Sequence, residues 1–269
     1  MNTILIAVLS VAALGLICGI MLAVASKVMA VKEDERFPAI RDCLPGANCG
    51  ACGYAGCDGY AKALASGEET RINLCVPGAS ATLSALSDVL GVESEETERQ
   101  VAVVRCRGTK DAAVYKAEYE GMLSCAAAKM YYGGKSKCIY RCLGYGDCAK
   151  VCPEDAICIE NGIAHVDPRV CVGCGLCRKE CPNGIIQLVP VSRHVMVLCR
   201  NRDRGAVTRK ECKNGCIGCM KCVKTCEHDA IHVTGNLAEI DYDKCVGCGK
   251  CAEVCTTGCI VSMDLSQVK

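Results

Sequence analysis

The stretch that decides the fold is Cys171-Val-Gly-Cys174-Gly-Leu-Cys177-Arg-Lys-Glu-Cys181-Pro182. Three cysteines at intervals of two residues, followed by a fourth before a proline, have the spacing with which thiolates bind [4Fe-4S] clusters. In that pattern the fourth thiolate reaches a second cluster. Four-thiolate zinc sites are the alternative, but their cysteine pairs usually lie apart in the sequence. The sequence therefore predicts iron–sulfur clusters.

The same spacing occurs twice more, at Cys245, Cys248, Cys251 and Cys255 and at Cys216, Cys219, Cys222 and Cys226. A fourth, altered copy contains Cys138, Cys142, Cys148 and Cys152. There Tyr145 occupies the position of the middle ligand. Cys138 precedes its motif by four residues, as Cys212 does in the aligned copy, so we expect Cys138 to replace the missing ligand and Cys212 to be spare. The alignment indicates a duplicated two-cluster module, at roughly 101–190 and 191–265.

Short hairpins separate the motifs. Residues 157–166 and 231–240 alternate around Asn161-Gly162 and Gly235-Asn236, which predicts two β-hairpins. The predicted fold class is therefore α+β, with hairpins and short helices around the clusters. Because the fourth thiolate of each motif crosses to the partner cluster, we expect four ligand sets: Cys138, Cys142, Cys148 and Cys181; Cys171, Cys174, Cys177 and Cys152; Cys216, Cys219, Cys222 and Cys255; Cys245, Cys248, Cys251 and Cys226.

Composition agrees with this interpretation. The chain has 269 residues, of which 28 are cysteine, one is phenylalanine and none is tryptophan, so few large side chains are available for a core. Clusters would occupy that space. The formal net charge of +1 gives no basic excess for binding nucleic acid, so a nucleic-acid partner is not expected.

The amino terminus predicts a membrane anchor. Residues 3–26 carry no charge, and at about 1.5 Å per residue they would exceed the roughly 30 Å hydrocarbon core. A cleaved signal peptide would require a basic residue before this stretch, and none is present. Lys27, Lys32 and Arg36 follow it, which places the remainder in the cytoplasm. We therefore expect a single-pass protein of the cell (inner) membrane, contacting lipid through residues 3–26, with a cytoplasmic carboxy-terminal domain whose reducing surroundings favour metal ligation over disulfides.

A different cysteine group follows the apolar stretch, at Cys49, Cys52, Cys57 and Cys75. These four thiolates could hold one more [4Fe-4S] cluster, although their spacing alone also permits zinc. The predicted domains are an anchor at 1–30, a four-cysteine domain at 31–90, a linker and first ferredoxin-like module at 91–190, and a second module at 191–269.

The chain resembles the B subunit of the Rnf complex, in its longer form, in three features. These are the uncharged amino-terminal stretch, the two ferredoxin modules, and the loop Leu44-Pro-Gly-Ala-Asn-Cys49-Gly-Ala-Cys52-Gly-Tyr-Ala-Gly-Cys57. That family couples electron flow between ferredoxin and NAD to Na⁺ or H⁺ translocation. The resemblance implies that Cys49, Cys52, Cys57 and Cys75 bind a cluster. It also implies that reduced ferredoxin and other Rnf subunits are partners, and that flavin and NAD reside on those subunits rather than on this chain.

The expected function is electron transfer through five [4Fe-4S] clusters within a ferredoxin:NAD oxidoreductase that acts as a translocase. The chain itself has no glycine-rich phosphate loop and no motif for bond-making catalysis. Two alternatives stay open, namely a polyferredoxin subunit of another membrane reductase or hydrogenase, and a zinc-stapled, membrane-attached interaction protein. A sixth cluster, built from cysteines outside the motifs, would draw on Cys106, Cys125, Cys199 and Cys212.

Overall fold

The protein folds into short helices and two-stranded sheets joined by long loops. The computed structural model describes residues 2–28, 34–92 and 98–265. The helices are α1 (Asn2–Val28), α2 (Phe37–Asp42), α3 (Gly56–Ser66), α4 (Ala79–Leu90), α5 (Cys125–Met130), α6 (Asp147–Lys150), α7 (Leu176–Glu180), α8 (Gly205–Glu211), α9 (Lys221–Thr225) and α10 (Lys250–Glu253). The strands are β1 (Gln100–Val104), β2 (Ile157–Glu160), β3 (Ile163–Val166), β4 (Ile186–Pro190), β5 (Val195–Val197), β6 (Ile231–Thr234), β7 (Leu237–Ile240) and β8 (Ile260–Ser262).

Helix α1 covers the uncharged amino-terminal stretch, and here the structure corrects the sequence prediction. Within residues 2–28, 34–92 and 98–265, no helix combines the length and the apolar character needed to cross a bilayer. The transmembrane helix predicted at residues 3–26, and the single-pass location in the cell membrane with a cytoplasmic carboxy-terminal domain, are contradicted by this finding.

The amino-terminal domain, α2 to α4, packs three helices around a small apolar core. Ile40 of α2, Tyr60 of α3 and Leu86 of α4 are almost completely buried in it. The Tyr60 hydroxyl donates a hydrogen bond of 2.7 Å to the carbonyl of Arg71, which satisfies the polar end of this side chain. Helix α3 ends at Gly67, whose φ of 76° is accessible to glycine without strain. This domain supports the loop that carries the first cysteine group.

The first module runs from β1 to β4. Strands β1 and β4 pair antiparallel, from Gln100 opposite Pro190 to Val104 opposite Ile186. Strands β2 and β3 form the hairpin predicted around Asn161 and Gly162, and the positive φ angles of these residues, 47° and 74°, fit a tight two-residue turn. This hairpin prediction is confirmed.

The second module runs from β5 to β8 and repeats the same order of pairing. Strand β5 pairs antiparallel with β8, and β6 with β7. Gly235 and Asn236 form the predicted turn, with φ angles of 56° and 63°. The second hairpin is thereby confirmed as well. The buried side chains of the second module include Val195, Ile231 and Leu237.

The two modules meet at a surface that we call the module junction, formed by residues 105–114 and 198–215. The amide of Val114 donates to the carbonyl of Glu211 at 2.8 Å, and the amide of Lys213 donates to the carbonyl of Ala112 at 2.9 Å. A side-chain bond of 2.8 Å from Asn214 to the carbonyl of Arg107 lies nearby. The modules are therefore joined by backbone pairing as well as by side chains.

Candidate iron–sulfur cluster sites

The four cysteines of the amino-terminal group lie near one another. Burial raises the pKa of the Cys75 thiol, and nearby Cys57, Cys49 and Cys52 raise it further. The amide of Cys57 donates to the Asn48 side-chain oxygen at 2.9 Å, which fixes the start of α3 beneath the loop.

In the first module, Cys152, Cys171, Cys174 and Cys177 lie near one another. Burial raises the pKa of Cys177 to about 12, and Cys171, Cys174 and Cys152 contribute to that rise. The amide of Ala102 in β1 donates to the Cys171 sulfur at 3.4 Å. Hydrogen bonds from backbone amides to sulfur are a usual feature of cluster ligands, because they stabilise the thiolate charge.

The other set in this module differs from the sequence prediction. One cavity is lined by four cysteines: Cys125, Cys142, Cys148 and Cys181. Burial raises the pKa of Cys148 to about 12, and Cys142, Cys125 and Cys181 add to the rise. Cys138 does not line this cavity. The structure therefore places Cys125, rather than Cys138, where the motif lacks a ligand.

Local contacts explain how Cys125 reaches this position. Asp147, at the start of α6, accepts the amide of Cys125 at 2.7 Å and the hydroxyl of Ser124 at 2.8 Å. These bonds tie the first turn of α5 to the motif. Tyr145 instead packs edge-on against Tyr119, with ring centroids 5.6 Å apart. The tyrosine is part of an aromatic contact, and the ligand position is filled from a helix outside the motif.

In the second module, Cys216, Cys219, Cys222 and Cys255 lie near one another. Burial raises the pKa of Cys222 to about 11, and Cys216 and Cys219 raise it further. Hydrogen bonding to Cys259 lowers the pKa of Cys216 to about 6, against the opposite effects of burial and of nearby Cys255. The Cys216 sulfur accepts the amide of Ala238 at 3.4 Å. The buried Cys259 lies 3.6 Å from Cys255, sulfur to sulfur. Hydrogen bonding to Cys259 lowers the pKa of Cys255 to about 4.

The last predicted set lines a cavity, with Cys226, Cys245, Cys248 and Cys251 in its wall. Burial raises the pKa of Cys251, and Cys245, Cys248 and Cys226 contribute to the rise. The Cys226 sulfur accepts the amide of Ala230 at 3.4 Å. Cys248 is exposed, so one edge of this site faces the surface.

Cys138 lies elsewhere, in a cavity at the module junction. The other three cysteines in its wall lie outside the ferredoxin motifs: Cys106, Cys199 and Cys212. Three of these four cysteines were candidates for a sixth site in the sequence. The alignment of Cys138 with Cys212 was the sequence signal for placing these two cysteines in one site, because Cys212 stands outside the motif of its own module.

The cysteine groups differ from sites for a single metal ion. Among the described residues, no group of three or more His, Cys, Asp or Glu side chains is arranged to hold a metal ion. Every described cysteine is a free thiol. Three of the groups instead line cavities, each with four cysteines in the wall. Soft thiolates around a space of this kind fit an iron–sulfur cluster.

Comparison with known proteins agrees with this arrangement. A family model described as a putative Fe-S cluster matches residues 44–77, and two models described as 4Fe-4S dicluster domains match residues 170–231 and 215–259. The B subunit of the Na⁺-translocating ferredoxin:NAD⁺ oxidoreductase complex of Acetobacterium woodii is 45% identical over 245 residues, which cover 91% of this chain and 73% of that protein. The chain belongs to the family of Rnf complex B subunits. Multiple iron–sulfur clusters are therefore its cofactors, and other subunits of the complex are its partners.

Further members of the Rnf B-subunit family are similar over most of their length. The B subunit of the proton-translocating ferredoxin:NAD⁺ oxidoreductase complex of Clostridium ljungdahlii is 40% identical, with 90% of this chain and 85% of that protein covered. The B subunit of the ion-translocating oxidoreductase complex of Methanosarcina acetivorans is 38% identical, with coverage of 91% and 93%. As a member of this family, the chain is an iron–sulfur electron-transfer subunit of an Rnf-type oxidoreductase complex.

Proposed function

We propose that this chain accepts electrons from reduced ferredoxin and relays them, one at a time, to other Rnf subunits, where NAD⁺ is reduced and Na⁺ or H⁺ is translocated. The observation that carries the proposal is the sequence of neighbouring cysteine groups. Cys49 of the amino-terminal domain raises the pKa of Cys174, and Cys177 raises that of Cys148, in each case after burial as the larger cause. Successive groups therefore lie side by side.

The proposed ligand sets of the relay follow the placement of the thiols: Cys49, Cys52, Cys57 and Cys75; Cys152, Cys171, Cys174 and Cys177; Cys125, Cys142, Cys148 and Cys181; Cys216, Cys219, Cys222 and Cys255; Cys226, Cys245, Cys248 and Cys251. When bound, [4Fe-4S] clusters supply one-electron redox chemistry. The protein's part is to bury the thiolates, to donate amides to their sulfurs and to hold neighbouring groups at fixed separation.

Two contacts hold the amino-terminal domain against the first module. The ammonium group of Lys179 donates to the carbonyl of Gly50 at 3.4 Å. Gly173, in the loop before α7, has so little free space that a β-carbon there would lie 3.3 Å from a methyl carbon of Val76. Close packing at this point keeps Cys49 and Cys174 near each other, which supports electron transfer between the two domains.

The test uses the full chain, purified without oxygen, and two variants at opposite ends of the series, Cys52→Ala and Cys251→Ala. Each variant should lose about four iron atoms per chain. We expect excess reduced ferredoxin to bleach the visible absorbance of the wild type and of one variant. The other variant should not bleach, because it lacks the cluster that receives electrons from ferredoxin. The variant that still bleaches should fail to support NAD⁺ reduction when it is added to membranes that lack the native chain.

A matched control is Cys158→Ala, which removes an exposed thiol of β2 that lines none of the cysteine cavities described above. It should behave as the wild type. A relay is contradicted if both end variants keep full NAD⁺ reduction. Abundant zinc with little sulfide in the wild type would instead favour the zinc-stapled interaction protein.

A further inference from the structure

The cavity at the module junction has the features of the other cysteine sites. Like the two ferredoxin-type cavities, it has four cysteines in its wall. Its four thiols also influence one another, because Cys106 contributes to the raised pKa of Cys138, Cys199 and Cys212, after burial as the main cause. The space and the donors therefore match those of a cluster site.

The site is built twice over from the duplicated sequence. Cys106 follows β1, as Cys199 follows β5 in the second module. Cys138 and Cys212 each stand four residues before the first cysteine of a ferredoxin motif. Each module thus contributes two thiols from equivalent positions. This symmetry explains why Cys138 and Cys212 align with each other although neither completes a set within its own module.

Three of the four sulfurs accept hydrogen bonds from N–H groups. Cys106 accepts the amides of Gly108 and Cys142, each at 3.4 Å. Cys199, its equivalent, accepts the amide of Cys216 at 3.3 Å.

Cys138 accepts a hydrogen bond of 3.5 Å from the side-chain nitrogen of Asn201. Cys212 lines the same cavity. Such donors stabilise negative charge on sulfur, which is what a ligating thiolate carries.

Charge around the cavity points the same way. The Arg141 side chain lines the cavity with only 3% of the residue exposed. Its donors reach neutral oxygens, including the carbonyls of Gly162 and Cys142 at 3.2 and 3.0 Å. In the part of the chain that the structure describes, no carboxylate lies within 4.0 Å of it. A buried cation is costly unless a negative group compensates it, and a cluster with four thiolates, at about −2, would do so.

We propose that Cys106, Cys138, Cys199 and Cys212 bind a sixth [4Fe-4S] cluster that is shared between the two modules. The inference deepens the proposed function and rests on the chain being an iron–sulfur carrier. It uses 24 of the 28 cysteines in the sequence, and it leaves Cys18, Cys43, Cys158 and Cys259 as thiols without a cluster.

The junction site lies between the cysteine groups of the two modules. The amide of Cys142, a ligand in the first module, donates to Cys106, and the amide of Cys216, a ligand in the second, donates to Cys199. The junction site therefore touches one ligand set of each module. A transfer across it moves one electron, so that one group is oxidised and its neighbour reduced by one electron, with no bond made or broken. Electrons supplied by reduced ferredoxin would have a path between the modules.

The test compares full-length Cys199→Ala and Cys212→Ala with Cys158→Ala, all purified without oxygen. These two cysteines belong to no ferredoxin motif, so the five other sets keep their ligands. Each junction variant should lose about four iron atoms and about four sulfides per chain relative to the wild type, whereas Cys158→Ala should lose none. Unchanged iron in both junction variants would overturn the sixth cluster.

A second measurement, on the wild type, tests the proposal even if the variants do not fold. The wild-type chain itself should contain about 24 iron atoms and about 24 sulfides, with no zinc. About 20 iron atoms, or about 20 with one zinc, would overturn the junction cluster while leaving the proposed function intact. A wild-type chain without iron and sulfide would contradict the proposed function itself, so the two failures are distinguishable.

Discussion

At the residue scale, Asp147 shows how a single carboxylate can place a ligand that the motif lacks. Its Oδ2 accepts bonds from Ser124 and from the amides of Cys125 and Ala126. Hydrogen bonding to Ser124 and to these amides outweighs burial and lowers the pKa of Asp147, so this cap is charged at neutral pH. A charged acceptor at the start of a helix gives stronger hydrogen bonds than a neutral one. The thiol of Cys125 is therefore held at the cavity from outside the motif.

Replacement of this thiol tests the assignment. Cys125→Ala should lose about four iron atoms per chain, because the set in the first module then has three ligands. Iron and acid-labile sulfide measured on anaerobically purified protein would check this. Cys43→Ala is the control, since Cys43 lies in the amino-terminal domain and its thiol bonds to the carbonyl of Ala39. Full iron content in Cys125→Ala would refute the assignment.

Glu69 offers a prediction about stability. The residue is only 9% exposed, and hydrogen bonds from Arg71 lower its pKa from 4.5 to about 2. Tyr54 also donates to it, at 3.0 Å. Because the pKa is lower in the folded state, the stabilisation is complete above about pH 5 and is lost as the pH falls from about 4.5 towards 2. Glu69→Gln should therefore lower the melting temperature by the same amount at pH 8, 7 and 6.

Thermal unfolding of the full chain, followed by circular dichroism, would measure this. Glu68→Gln, at the exposed neighbouring position, should leave the melting temperature nearly unchanged. If the difference in melting temperature between Glu69→Gln and the wild type became smaller between pH 8 and pH 6, the carboxylate would titrate near neutrality, contrary to the prediction.

At the element scale, the loops before α7 and α10 have the same sequence pattern but different surroundings. Gly173 and Gly247 have φ angles of 69° and 73°, so alanine is similarly strained at both. A β-carbon at Gly173 would lie 2.4 Å from the carbonyl oxygen of Gln100 in β1, whereas at Gly247 the nearest atom is a His194 ring carbon at 3.7 Å. Only the first loop is packed tightly against its strand.

This difference defines a matched pair of variants. Gly173→Ala should reduce the free energy of unfolding by about 1–3 kcal/mol more than Gly247→Ala, because the clash forces a backbone shift in addition to the shared strain. Denaturant unfolding, followed by loss of the visible absorbance, would measure the two values side by side. Equal destabilisation would mean that β1 moves freely away from the loop.

The two hairpins predicted from local sequence were found, whereas the transmembrane helix predicted at residues 3–26 was not. Positions that depend on distant contacts were not predicted. Turn residues such as Asn161-Gly162 define a hairpin through their own backbone preferences, so the sequence is sufficient. Cys125 was assigned elsewhere because it lies 17 residues before Cys142, on a helix whose position depends on Asp147. The junction thiols Cys106 and Cys199 are farther apart still, and only the packing of two modules brings them together.

At the scale of the whole molecule, bound clusters would reverse the charge balance. The apoprotein has a formal net charge of +1 and a sequence pI of about 7.3. Six oxidised clusters, at about −2 each with their thiolates, would bring the net charge to about −11. Anaerobic isoelectric focusing should therefore place the loaded protein well below pH 7.

Removal of the metal provides the comparison for this prediction. After iron and sulfide are stripped by a chelator, the same chain should focus near its sequence pI, because its buried thiols are then neutral. Partial loss in Cys199→Ala should give an intermediate position. Identical focusing of the loaded and stripped protein would contradict the expected charge of the clusters.

The even division of junction cysteines between the modules also bears on how the molecule is made. During synthesis Cys106 and Cys138 leave the ribosome well before Cys199 and Cys212, so the junction site has half its thiols until the second module has emerged. The amino-terminal set, ending at Cys75, is complete much earlier. Biogenesis therefore has a built-in order: the site between the halves is the one whose completion reports that both halves have been translated and have docked.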